Sequence, residues 1–123
     1  MTSTLRSYEF ALVCDASGDF TATKSVRPVR GFLYAVELIL GTLASGAADV
    51  TLSTVNPTRT ILTLTNVAAD AVHMPRVQGV GNTGSVIAGV YDKPVIDGNL
   101  KVVVAQGGNL GAGKLRVWVE ENS

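Results

Sequence analysis

From Phe32 to Leu40 large apolar residues fall at every second position, Phe32, Tyr34, Val36, Leu38 and Leu40. A period of two places them on one side of a pleated strand. Leu33, Ala35 and Ile39 fill most of the other side, so the stretch predicts a strand buried on both faces in the middle of a sheet. The segment continues to Asn66 through a glycine-marked turn and two shorter alternating runs, ADVTLST (48–54) and TILTLTN (60–66). Val50, Leu52, Leu62 and Leu64 are their inward candidates, and Asn56 and Pro57 turn the chain between them.

The same period recurs on either side. LRSYEFALVC, from Leu5, sets Tyr8, Phe10, Leu12 and Cys14 on one face; ASGD (16–19) is a turn, and FTATKSV makes a second, more polar strand. Pro28 separates it from the central strand, where a residue that cannot donate to a ladder suits a strand start or a crossover. Residues 68–84 hold Pro75, Gly79, Gly81 and Gly84 and are expected to form a long functional loop. SVIAGVYD is a further strand, Asp97-Gly98 reads as a two-residue hairpin turn before LKVVVAQ, and KLRVWVEE closes the chain. Strand-favouring residues dominate, and good helix formers are too sparse for a long amphipathic helix. The expectation is an all-β chain of about eight strands, an antiparallel β-sandwich or jelly roll. With 123 residues it is expected to be one domain, residues 1–7 being a candidate flexible arm.

Composition narrows the function classes. Ten acidic side chains balance ten basic ones, so the basic excess expected of a nucleic-acid binder is missing, as is the Lys/Arg-rich amphipathic run of a membrane-surface helix. A net charge near zero offers little repulsion between copies and permits self-association. Cys14 is the single cysteine, which excludes an internal disulfide and a cysteine-rich metal site. The start, MTSTLRSYEF, lacks the apolar centre of a signal peptide, and no apolar run reaches the length of a membrane helix, so the chain is expected to be soluble and made in the cytoplasm.

Motifs for chemistry fail on their context. GNLGAGK (108–114) matches a phosphate loop up to its lysine, but Leu115 replaces the magnesium-binding hydroxyl and a strand follows where a helix is required. DASGD (15–19) resembles part of a calcium loop, yet Val26 stands where the bidentate glutamate belongs. Cys14 and His73 are a formal nucleophile and base, but Cys14 shares its face with Phe10 and Leu12. No enzyme, cofactor or metal is expected.

Binding residues are better candidates. If Leu115, Val117 and Val119 point inward, Trp118 points outward between Arg116 and Glu120, and Trp and Arg are the residues interfaces favour. Arg27 and Arg30 bracket Pro28 and Val29, and Arg59 and Arg76 lie in or beside other turns; they read first as solvated loop charges, and in the sharper reading as guanidinium groups that meet an acidic partner surface through bidentate pairs.

In VELILGTLASGAADVTL, RTILTLTNVAADAVHMPR and LKVVVAQGGNLGAGKLRVWVEE the chain resembles small structural proteins of tailed-bacteriophage heads, among them capsid decoration, or cement, proteins. The likeness spans about Val29 to Glu121. It implies a β-rich virion protein that binds the major capsid protein on the outside of the shell, often as a homotrimer, and stiffens it. A head-fiber, head-completion or tail protein is the neighbouring alternative. From a different class, a carbohydrate- or ligand-binding sandwich would use Trp118, Tyr34 or Tyr91 as a stacking platform.

Overall fold

The alternating segments form ten strands in a computed structural model that describes residues 3–23, 28–55, 58–80 and 82–122. They are β1 (Ser3–Val13), β2 (Phe20–Thr23), β3 (Val29–Ile39), β4 (Ala48–Val55), β5 (Arg59–Val67), β6 (Ala71–His73), β7 (Val77–Val80), β8 (Val86–Asp92), β9 (Val95–Ala105) and β10 (Ala112–Asn122). No helix occurs among the described residues. Eight strands join one antiparallel sheet along the path β1-β10-β3-β9-β4-β5, with β2 beside β9 and β6 beside β3; β7 and β8 form a separate two-stranded sheet.

The large sheet folds over into two layers because β9 serves both. Its first residues pair with the start of β3, Val29 opposite Gly98 and Phe32 opposite Val95. From Asn99 to Ala105 it pairs instead with β4, and Lys101 to Val104 also face β2. Gly98 sits at this corner with φ 138°, a backbone conformation that favours glycine. The expected Asp97-Gly98 hairpin turn is therefore a bend inside a continuous strand. Glycine freedom serves either geometry, so the dipeptide alone does not separate them.

Between the layers lies one apolar cluster. β1 contributes Phe10 and Leu12, β3 Leu33, Val36 and Leu38, and β10 Leu115, Val117 and Val119; across from them stand Val50 and Leu52 of β4 and Leu100, Val102 and Val104 of β9, with Ile96 joining from the part of β9 beside β3. Strict inside-outside alternation in β4 and β9 is what lets two twisted sheets interdigitate. Leu64 is buried as expected, whereas Leu62 is only half-buried.

The central strand departs from a simple alternation. Trp118 pairs with Ala35 but Val119 pairs with Leu33, so β3 carries one extra residue, a β-bulge at Tyr34. The bulge reverses the facing of the residues before it. Leu33 is buried, while Phe32 and Tyr34, expected on the same face as Val36 and Leu38, are exposed on the outside. Gly31 lies beside β10 so closely that a Cβ there would run into the carbonyl of Glu120.

Two further stretches differ from expectation. Within 68–84, β6 extends the first layer and β7 begins a hairpin with β8, so much of that stretch is ordered strand. Residues 3–7, inside the candidate arm, are the start of β1, paired with β10 from Ser3 opposite Asn122 onward. The phosphate-loop look-alike is the β9–β10 connection. It is locked to the ASGD turn by Gly107 N–H donating to the Gly18 carbonyl at 2.8 Å and Leu110 N–H to that of Asp15 at 3.0 Å. The Asp15 carboxylate is spent on the same turn, accepting from the amides of Ser17 and Asp19 at 2.8 and 3.0 Å.

Candidate functional site

Three surfaces gather the residues able to bind a partner. The first is the outer face of the β1–β10–β3 layer, where antiparallel register sets side chains in rows. One row runs Leu5, Glu120, Phe32 and Val95. The next holds Ser7, Trp118 and the bulge residues Tyr34 and Ala35, and a third runs Glu9, Arg116, Glu37 and Val72. Trp118 faces outward, as the facing of Val117 and Val119 requires, and is half-buried. Ala35 opposite it is buried without joining the core cluster.

Charge pairs lace this face. The Arg116 guanidinium donates to Glu9 at 2.8 Å, lies 3.7 Å from Glu37, and stands over the Trp118 ring at 5.7 Å from its centroid. The hydrogen bond to Glu9, with the negative charge of Glu9 and Glu37, holds its proton above the usual arginine range. Lys93 plays a similar part beside the bulge, pairing with Glu120 and standing 5.6 Å from the Tyr34 ring centroid. Cations over aromatic faces, themselves held by carboxylates, make an ordered amphipathic surface. Sequence reading singled out Trp118 and Arg116 but missed Glu9, Glu37 and Lys93. Their place beside the rings depends on strand register, which no local motif encodes.

The second surface is the β7–β8 hairpin, with Val77 opposite Asp92 and Gln78 opposite Tyr91. Val77, Val80, Ile87 and Tyr91 are exposed on it, Tyr91 to 62%. Among the described residues neither strand pairs with the main sheet. An isolated two-stranded hairpin is marginally stable in water, so such an apolar arm gains most from a surface to lie on.

The third is a cleft of about 340 Å³ at the base of this hairpin, lined by Thr54, Arg59, Thr60, Ile61, Pro75, Arg76, Val77, Pro94 and Val95. It brings together two sequence-predicted arginines that are far apart in the chain. Arg76 donates to the carbonyls of Pro75 at 2.7 Å and Tyr34 at 3.3 Å. Arg30 does not join them, being paired with Asp97 at 3.1 Å on the exposed start of β3. Arg27 lies outside the described residues.

Cys14 is buried at the end of β1, and burial, reinforced by the negative Asp15 and Asp19, pushes its thiol above the ordinary value. A thiol held protonated in this way is a poor nucleophile. Among the described residues no group of three or more His, Cys, Asp or Glu side chains is placed to hold a metal ion.

No protein-family model and no curated protein matches the chain. Among solved structures, the crystal structure of FLHE overlaps 95% of this chain and 98% of its own at 13% identity, with a TM-score of 0.41. The infectious bursal disease virus VP2 subviral particle overlaps 94% of this chain and 33% of its own at 14% identity, with a TM-score of 0.24. Both overlaps are too loose to carry an argument about function.

Proposed function

We propose that this chain is a non-enzymatic structural protein of a bacteriophage virion, made in the host cytoplasm, that decorates the outside of the capsid and stabilises it by binding the major capsid protein. The sequence resemblance supplies the virion setting and the favoured homotrimer. The observation that carries a docking role is the apolar β7–β8 hairpin standing off the folded sheet with Val77, Val80, Ile87 and Tyr91 exposed. Many modest contacts of this kind suffice on a repetitive lattice, because each attachment raises the effective concentration of the next.

Counting the chain against the major capsid protein in purified particles by quantitative mass spectrometry tests the reading. Decoration predicts a fixed ratio to the shell subunit. A few copies per particle would move the assignment to a head-fiber, head-completion or tail component, and absence from particles would remove the virion setting altogether. A sugar-stacking platform on Trp118, Tyr34 or Tyr91 is the weaker alternative, since Arg116 and Lys93 already stand over the first two rings.

A further inference from the structure

The described arginines divide by their partners. Arg6 pairs with Glu121, Arg30 with Asp97, and Arg116 with Glu9 and Glu37. Arg59 and Arg76 have no carboxylate partner among the described residues, and these two line the same cleft. No acidic side chain is among the residues lining it. In a chain with as many acids as bases, two arginines lining one cleft that has no acidic residue in its lining favour an anion there.

The cleft is also shaped for more than an isolated ion. The Arg76 bonds to the Pro75 and Tyr34 carbonyls are made through one terminal nitrogen, which orients the guanidinium and leaves its other N–H donors available. Ile61, Val77 and Val95 supply apolar lining, and Pro75 and Pro94 stiffen the backbone beside it. Arg59 to Ile61 begin β5, which ends the strand path and has no partner on its outer edge among the described residues. An extended segment lying there meets aliphatic walls and backbone hydrogen-bonding groups as well as charge.

We infer that this cleft recognises a carboxylate carried on an extended acidic segment of a partner protein, with Arg59 and Arg76 as the paired cations and Ile61, Val77 and Val95 receiving the neighbouring apolar side chains. Bidentate guanidinium–carboxylate geometry supplies the selectivity. The inference rests on reading the chain as a docking protein and names the chemistry of one contact. Its test uses the isolated 123-residue chain, so it can fail while particle association through the hairpin succeeds, and the reverse.

Arginine side-chain Nε–Hε resonances would be followed by NMR during titration with a blocked Val-Glu-Val-Glu-Val peptide, its Val-Gln-Val-Gln-Val counterpart, free glutarate and inorganic phosphate. Saturable shifts at Arg59 and Arg76 with the acidic peptide, and none with the glutamine peptide, are expected. Arg59→Gln and Arg76→Lys should each weaken binding by about tenfold or more, while Arg30→Gln leaves it unchanged. No saturable shift, or one that survives Arg59→Gln, overturns the inference. So does binding of glutarate or phosphate as tight as that of the peptide, which would make the cleft a free-anion site. Arg59 is exposed, so Arg59→Gln leaves the fold intact even if a change at Arg76 does not.

Discussion

Single side chains divide here into those that hold the layers together and those that order the outer face. Leu38 is fully buried in the cluster between the sheets. Leu38→Ala removes apolar contact and leaves a cavity that a strand held on both edges cannot close, so a loss of about 2–5 kcal/mol is expected in urea unfolding. Arg116 belongs to the other class. Its contacts with Glu9 and Glu37 are cross-strand and solvent-facing, so they are screened by salt. Arg116→Gln should lower the unfolding midpoint at low ionic strength, and the difference from the parent should shrink at high salt. A difference that stays constant would place the loss in packing on Trp118 instead. Gly31→Ala should destabilise more than Arg116→Gln, because the added Cβ meets the rigid Glu120 backbone.

Among the strands, β7 and β8 differ from the rest. β10 is held on both edges by β1 and β3, and β9 by strands of both layers, while among the described residues the hairpin has only its own ladder. Amide hydrogen exchange should therefore be fast over Val77–Val80 and Val86–Asp92 and slow at Leu115, Val117, Val102 and Val104. Replacing residues 77–92 by a short Gly-Ser linker should leave that slow-exchanging core in place while abolishing association with particles. Core protection lost together with the hairpin would show that the arm is part of the folding unit. The bulge in β3 works in the opposite direction, since one extra residue at Tyr34 turns Phe32 and Tyr34 outward and creates much of the apolar part of the outer face.

Across the whole molecule, stability should respond to pH through the buried thiol. Cys14 titrates above its ordinary value of 9.0 in the folded state, first because of burial. Below that value the thiol is neutral folded or unfolded and stability is full; as pH climbs past it, only the unfolded thiol ionises, so stability falls until the folded thiol does too. The urea midpoint should drop as pH rises above about 9, and Cys14→Ala should reduce that drop. The sequence alone was enough for the all-β class and the placing of β1, β4, β5 and β10, because a period of two is a local property of the chain; which face of β10 Trp118 takes was left to the tertiary packing. The sequence could not show the Tyr34 bulge, which is defined only against the register of β10, nor that Asp97-Gly98 bends β9 between layers instead of closing a hairpin. That Arg59 and Arg76 line one cleft was equally out of reach: each looks like a solvated charge in its own turn, and only the fold brings the β5 start and the segment between β6 and β7 to the same cleft. Local pattern sets which residues can be buried, whereas relations between distant strands set which exposed ones meet.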